Sequence, residues 1–271
     1  MTPTVRTPAV AGRFYPRRAD ELRRDVLEYT SSEVRVPVSA LGCIAPHAGY
    51  VYSGHVAGAV YSQVEIPRRV IVLCPNHTGM GHPLAIMTHT AWQTPLGEVP
   101  ADAEMGTALL QRFPLLKEDN AAHRSEHAIE VQLPFLQTRR PDINFVPIAV
   151  GTRDFEILHG LGEAIAEVIS TLTDKVLVIA SSDMNHYESD AVTRIKDHKA
   201  IARVLELDAQ GLWDIVRNED ISMCGFGPTV AMLTASRRLG ATAATLVKYA
   251  TSGEVSGDYE KVVGYAGIIV A

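Results

Sequence analysis

Four short apolar runs constrain the fold of this chain more than any other feature of its sequence. They lie at 41–46, 69–74, 143–150 and 175–182, and turn-forming residues bound each of them. Continuous apolar, β-branched runs of this length are typical of strands that are covered on both faces, as in a parallel sheet. The sequence therefore predicts a central, mostly parallel sheet.

Helical patterns lie between and after these runs. Residues 155–172 repeat apolar side chains at helical spacing, and Asp154 before them suits the N-cap position. Residues 128–138 show a similar pattern. Further helices are predicted over 54–64, 102–112, 191–206, 208–217 and 228–239, and two terminal strands over 243–250 and 263–270. The alternation predicts one α/β domain over 1–271, with a central mostly parallel sheet flanked by helices.

Charge and hydropathy exclude several classes of partner. The formal net charge is -6 without a dense Lys/Arg cluster, which argues against binding to a nucleic-acid backbone or an anionic membrane surface. No apolar run approaches the roughly 20 residues of a membrane span, and the N-terminus has no continuous apolar segment. We expect a cytoplasmic protein that acts on a small molecule, a peptide or a protein.

Three of the ten histidines follow predicted strands. His47 and His77 come after the first two strands, and His186 follows the strand at 175–182. Ligands collect at the carboxyl ends of parallel strands, and imidazole is the commonest neutral ligand for first-row metals. A metal site is therefore predicted at this edge, whereas five other histidines are expected to be solvated: His55, His89, His123, His159 and His198.

An anionic third ligand has several candidates. Cys224 precedes the helix predicted at 228–239, where the macrodipole and free backbone N–H groups would lower its pKa. Asp183 shares a loop with His186, and Glu126 adjoins His127, although that pair is equally typical of a helix start. The other cysteines lie within apolar runs, as small core residues do. Nucleotide-binding fingerprints and a serine nucleophile elbow are absent from the sequence.

Several linked motifs resemble one known family over nearly the whole chain. They are AGRFYP (11–16), APHAGYVYSG (45–54), PNH (75–77), EHAIEVQLPFL (126–136), SSDMNHY (181–187), CGFGP (224–228) and YAGIIV (265–270). Their order is similar to that of the Memo (mediator of cell motility) family, called AmmeMemoRadiSam system protein B in microbes. That family looks like the class III extradiol dioxygenases in fold, which implies a single α/β domain with its site at one end of the sheet.

The resemblance implies a role for each motif residue. His47 and His77 match the metal-binding histidines of the dioxygenases, Cys224 takes the place of their glutamate, and His186 matches their base. Fe(II) or Cu is the implied cofactor. A soft thiolate raises the affinity for Cu(I) and also admits Zn(II).

Further side chains are expected around that metal. We expect Asp183 to orient the imidazole of His186, and Tyr50 or Tyr187 to donate hydrogen bonds to a substrate. Phe14 and Tyr15 either cover the site or anchor the first strand.

Three functions remain open from the sequence. The first is a metal-dependent redox enzyme, dioxygenase-like, in which His186 moves a proton. The second is a peptide- or protein-binding scaffold whose metal is structural or vestigial. The third is a zinc-dependent hydrolase in which His186 deprotonates an activated water. The family naming also implies a radical SAM protein and an AMMECR-type protein as partners.

Overall fold

The four predicted apolar runs form the middle of a nine-stranded sheet. The computed structural model describes residues 5–31 and 36–271. Within these ranges the strands are β1 Val5–Arg6, β2 Gly42–Ala45, β3 Arg69–Pro75, β4 Leu84–Ile86, β5 Ala91–Thr94, β6 Gly97–Val99, β7 Lys117–Glu118, β8 Asn144–Val150, β9 Val176–Ser181, β10 His186–Glu188, β11 Ala244–Thr251 and β12 Val262–Val270. The helices are α1 Ala19–Tyr29, α2 Tyr50–Gln63, α3 Ala103–Arg112, α4 Ala121–Arg124, α5 Leu133–Arg139, α6 Phe155–Ser170, α7 Asp190–Leu205, α8 Ala209–Asn218, α9 Phe226–Arg238 and α10 Gly253–Ser256, with a 3₁₀ turn Glu130–Gln132 before α5.

The sheet is parallel at its centre, with an antiparallel pair on each side of the four central strands. Its order is β10-β12-β2-β9-β3-β8-β4-β7, with β11 also paired to β12, and the neighbours among β2, β9, β3 and β8 are all parallel. β12 runs antiparallel to β2, and β4 runs antiparallel to β8. Ala45 pairs with Ser181 and Pro75 with Val150, so the central strands finish at the same edge. The predicted α/β fold is confirmed.

Helices cover both faces of the central strands. Along β3, Ile71 and Leu73 belong to one core cluster, whereas Val70 and Val72 belong to another. The first cluster contains side chains of α3, α6 and α9, and the second contains side chains of α1, α2 and α5. Because successive side chains of a strand point to opposite faces, a strand buried on both faces must be apolar throughout. This explains the continuous runs in the sequence.

The helix boundaries agree with the expected chemistry in some places and depart from it in others. Asp154 caps α6, since its side chain accepts the Ile157 N–H at 3.1 Å. α9 begins at Phe226 rather than at Pro228, because a proline fits the first turn, where no N–H partner is needed.

The sequence did not predict α1, whose fully buried positions are Leu22 and Val26 among charged neighbours. No helix in the two described ranges is long and apolar enough to cross a bilayer.

α2 starts earlier than predicted and packs closely against α1. That helix begins at Tyr50, four residues before its predicted start, and runs through Gly54 and Gly58. A Cβ at Gly58 would lie 2.3 Å from the Tyr29 carbonyl oxygen, and one at Gly54 would lie 2.7 Å from the Tyr29 ring. The two glycines therefore let α1 approach, which offsets their low helix propensity.

Candidate metal centre

The carboxyl ends of the central strands bring three metal-ligating side chains together. His47 follows β2, His77 follows β3, and Cys224 lies two residues before α9. One ligand atom from each of these side chains lies within 4.8 Å of the others. His47 Nε2 is 3.2 Å from Cys224 Sγ. The structure thus places side by side the three residues that the sequence predicted as ligands.

The hydrogen bonds around His47 determine which of its nitrogens is free. The Ser181 hydroxyl donates to the Ala128 carbonyl at 2.7 Å, so its oxygen can only accept from its other partners. Those partners are Gln132 Nε2 at 2.8 Å and His47 Nδ1 at 3.0 Å. His47 therefore carries its proton on Nδ1 and presents the Nε2 lone pair towards Cys224. Burial lowers the pKa of His47 to about 3, which keeps the ring neutral.

Glu126 fixes His77 in the same way. Its Oε1 accepts from His77 Nδ1 at 2.9 Å and its Oε2 accepts from the His77 backbone N–H at 2.7 Å. Burial alone would raise the pKa of Glu126, but the hydrogen bonds from His77 and from backbone N–H groups outweigh it and lower that pKa to about 2. An ionised carboxylate only accepts, so the His77 proton lies on Nδ1. In a neutral ring this leaves the lone pair on Nε2 for a metal ion, as in carboxylate–histidine–metal arrangements.

The thiol of Cys224 differs from its predicted state. Desolvation and the nearby charge of Asp183 raise its pKa far above the usual value. The Asp183 backbone N–H, 3.3 Å from Sγ, lowers it by less. The prediction that the start of α9 ionises Cys224 is therefore wrong for the metal-free site. A bound cation is what would remove the proton, because metal binding and thiol deprotonation are coupled.

Asp183 and His186 do not make the predicted contact. Asp183 Oδ1 accepts the backbone N–H groups of His47 at 2.7 Å and Ala48 at 3.3 Å. His186 Nδ1 instead donates to the Ser222 carbonyl oxygen at 2.9 Å. The expected role of Asp183 is corrected: it holds the loop after β2, because β2 and β9 are parallel neighbours and their loops meet. Because Nδ1 donates to the Ser222 carbonyl, the nitrogen of His186 that is left for a substrate is Nε2.

The two predicted tyrosines have different positions. The Tyr50 hydroxyl donates to the Val131 carbonyl at 2.7 Å, and its ring is buried against Tyr15. Tyr50 lies outside the lining of the cleft, so the structure does not place it as a substrate donor. Tyr187 does line the cleft and is 74% exposed, with φ of 62°. Positive φ is uncommon for a tyrosine and is found at functional sites, where surrounding structure holds it.

Of two other histidines, one was left open by the sequence, His127, and one departs from its expected position, His123. The His127 ring stacks on His77 at 4.8 Å and lies 5.4 Å from the His47 ring, so the Glu126–His127 pair belongs to the site. Burial lowers the pKa of His127 to about 4. His123, expected to be solvated, is fully buried against Trp92. A single sequence gives no signal that separates these buried histidines from surface ones.

A second group of ligands overlaps the first. His77, Glu126 and His127 also lie close enough to hold a metal ion. However, both Glu126 oxygens already accept N–H groups from His77, and Oε1 accepts two more backbone N–H groups, from His127 and Ala128. A carboxylate committed to that many donors is suited to orienting the histidines rather than to binding metal itself.

A cleft of about 600 Å³ opens over the three ligand atoms. Besides the ligands, the rings of Phe14, His127, His186 and Tyr187 line it. Of the two N-terminal aromatics in the AGRFYP motif, Phe14 therefore covers the site, whereas the Tyr15 hydroxyl is bound to Glu130 at 2.7 Å.

The donor set fits a first-row transition metal. Bonds of about 2.0 Å to nitrogen and about 2.3 Å to sulfur place neighbouring ligand atoms roughly 3 to 3.6 Å apart. The 3.2 Å between His47 Nε2 and Cys224 Sγ lies in that range. Two neutral imidazoles and a soft thiolate suit copper, zinc or iron better than calcium or magnesium, which prefer oxygen ligands.

Comparisons with known proteins point to one family. The family model described as "Memo-like protein" matches residues 6–269. A MEMO1 family protein of Methanosarcina barkeri is 45% identical, covering 98% of this chain and all of the relative. One of Methanopyrus kandleri is 43% identical, covering 97% of this chain and 98% of the relative. An uncharacterized Escherichia coli K12 protein of known crystal structure shares the fold, with a TM-score of 0.58 and 13% identity over 84% of this chain and 98% of that protein.

Proposed function

This chain belongs to the Memo-like protein family, and from that premise we propose that it is a metal-dependent redox protein. In this proposal His47, His77 and Cys224 hold one iron or copper ion. The observation that carries it is the fixed position of the histidine protons. Ser181 and Glu126 each hold a proton on Nδ1, so that both Nε2 lone pairs are free for the ion beside Cys224.

The ligand count favours reactivity over a purely structural ion. A closed structural site uses four protein ligands, whereas three protein ligands leave a position open. In this protein the open side faces the cleft. A bound iron or copper ion would supply one-electron chemistry and a coordination position for a substrate.

His186 is the proposed acid–base group. Its Nε2 can accept a proton from a substrate hydroxyl, while the Ser222 carbonyl at 2.9 Å stabilises the protonated ring through Nδ1–H. Asp197 supports the loop that carries this histidine, because it accepts the Asn185 backbone N–H at 2.8 Å. The rings of Phe14 and His127, 4.7 Å apart, add an aromatic part to the lining of the cleft.

Replacing Ser181 with alanine should lower the metal affinity about tenfold, the low end of the range for groups that orient ligands. The variant lacks the oxygen that accepts from His47 Nδ1 and from Gln132. Competition titration against a chelating dye measures the change. Ser62→Ala, which removes a hydroxyl from α2 away from the cleft, should change the affinity by less than about twofold. An unchanged affinity in Ser181→Ala would show that the His47 tautomer needs no such support.

A His186→Ala variant should retain its metal and lose the proton-transfer step. The ring contacts Ser222 and lies outside the three ligands, so metal content measured by elemental analysis should equal that of the wild-type protein. Loss of metal from this variant would make His186 a ligand and the acid–base assignment wrong.

The redox proposal is tested by aerobic and anaerobic purification followed by elemental analysis and oxygen-uptake measurement. We expect about one iron or copper ion per chain, and we expect the change in oxidation state of that ion to depend on Cys224. Full occupancy by zinc without oxygen uptake would contradict the redox function and favour the hydrolase. If the aerobically and the anaerobically purified protein hold similar amounts of metal and neither turns over a substrate, a binding protein with a structural ion would be favoured.

A further inference from the structure

A second chamber of about 290 Å³ adjoins the cleft, which is the first chamber. Both chambers are bordered by His77, Ser222 and Cys224, so two of the three proposed metal ligands line both of them. The second chamber is lined by one cationic side chain, Arg153, and by no carboxylate within the described chain. A ligand bound to the metal can therefore extend either over His186 or towards Arg153.

Arg153 is an exposed residue that lines the second chamber, and no charge partner for it lies within the described ranges. It follows β8, and its guanidinium carbon lies 5.3 Å from the centre of the Phe226 ring, at the start of α9. Within the described ranges no carboxylate lies within the 4.0 Å of an ion pair, whereas Arg69 and Arg194 each have such a partner. An arginine stacked on an aromatic ring keeps its N–H donors free for a planar or tetrahedral anion.

The second chamber is lined by a positive charge, whereas the chain as a whole has a net charge of -6. α9 begins beside it without a side-chain cap, so the positive end of that helix adds to the field of Arg153. Among the described residues, Asp183 is the only carboxylate that lines the first chamber, and it accepts two backbone N–H groups. The first chamber therefore presents a carboxylate and the second chamber a guanidinium.

Building on the metal centre proposed above, we propose that Arg153 selects substrates that carry an anionic group, a carboxylate or a phosphate. The reacting end of such a substrate lies over the metal position and His186. Its anionic end extends past Cys224 and pairs with the Arg153 guanidinium. The volume of about 290 Å³ is ample for a carboxylate or phosphate group.

One reference hydroxamate and two series of acidic hydroxamates test this selection on zinc-loaded protein. Acetohydroxamate supplies the metal-binding group alone. The compounds of one series carry a terminal carboxylate and those of the other a terminal phosphonate, on short methylene linkers of increasing length. Isothermal titration should show that the best acidic compound of each series binds about tenfold more tightly than acetohydroxamate, as expected for one charged hydrogen-bonded contact near the surface. A preference for only one of the two series identifies the anionic group.

Substitutions at Arg153 locate the preference. In Arg153→Gln the acidic and neutral compounds should bind with equal affinity, while the affinity for acetohydroxamate and the zinc content remain those of the wild type. Arg153→Lys should keep part of the preference. Arg217→Gln is the matched control, since this arginine also lies over an aromatic ring, Trp213 at 4.2 Å, but lines neither chamber, and it should keep the full preference.

The outcomes separate this inference from the proposed metal centre. Wild-type protein that takes up no metal would contradict the metal centre, and the acidic and neutral compounds would then be compared on the metal-free protein. A preference that disappears in Arg153→Gln supports the role of Arg153 in either form of the protein. Equal binding of all compounds to the wild type, or an unchanged preference in Arg153→Gln, would overturn it.

Discussion

Replacing Cys224 with serine should weaken metal binding about a thousandfold. A serine hydroxyl does not ionise near neutral pH, so the site loses its only anionic ligand among His47, His77 and Cys224. Structural metal ions bind such sites with apparent free energies of about 10–16 kcal/mol, and one of three ligands accounts for about a third of that. Competition titration with a chelating dye measures the affinity in both proteins.

The fold should survive this change. Sγ is half-buried at the cleft, and serine differs from cysteine by one atom. Circular dichroism and urea unfolding of the metal-free proteins should therefore agree to within about 1 kcal/mol. Cys43→Ala is the control, since it removes a thiol from the interior of β2 and should leave metal binding unchanged. Wild-type affinity in Cys224→Ser would exclude Cys224 as a ligand.

Glu126→Gln should lower both the stability of the metal-free protein and its metal affinity. The fully buried carboxylate accepts hydrogen bonds from the ring and backbone of His77 and from two further backbone N–H groups. These bonds outweigh desolvation and depress the pKa of Glu126 from 4.5 to about 2. The shift is equivalent to about 3 kcal/mol of the free energy of unfolding at neutral pH. The lost acceptor of His77 Nδ1–H should also lower metal affinity by about ten- to a hundredfold.

The sign of the pH dependence follows from the depressed pKa. A carboxylate that is more acidic in the folded state stabilises the protein above its unfolded pKa of about 4.3, and this stabilisation is lost as the pH falls towards 2. Urea unfolding of the metal-free proteins should therefore show a difference of about 3 kcal/mol at pH 7 that closes below pH 4. Glu118→Gln, at an exposed carboxylate that accepts from Thr88, should differ from the wild type by less than about 1 kcal/mol. A difference between wild type and Glu126→Gln that does not vary with pH would contradict the ionised state.

The sheet was predictable because its strands are buried on both faces. In β3 after its first residue, Arg69, and throughout β9, every position is apolar or small, and such runs leave few alternatives to a parallel central strand. Once the strand ends were known, the parallel rule alone placed His47 and His77 at one edge. The assignment of Cys224 as the third ligand also needed the resemblance to a known family, because a cysteine before a helix is by itself a weak signal.

Other parts of the site depend on contacts between segments distant in sequence. The orientation of His186 is set by Ser222, 36 residues away, so Asp183, which lies on the same loop as His186, was the wrong partner. The ionisation of Cys224 is decided by desolvation, which a helix-dipole argument does not contain. Tyr50 faces the core because α2 begins at that residue and packs on α1.

The pairing of the short edge strands also could not be predicted from the sequence. β4 and β7 are short and lie at one edge, and β1 pairs with β5 in a separate small sheet. Strands of two or three residues show no measurable periodicity, so neither apolar alternation nor turn residues predict them. The same limit applies to the Glu126–His127 pair, whose position depends on the irregular segment before α5.

The most direct test of the metal centre is an anomalous-diffraction map at the absorption edge of the metal found by elemental analysis. We expect a single peak within bonding distance of His47 Nε2, His77 Nε2 and Cys224 Sγ, about 2.0 Å from the nitrogens and about 2.3 Å from the sulfur. A peak bound instead to Glu126 and His127, or no peak at the strand ends in metal-loaded crystals, would contradict it.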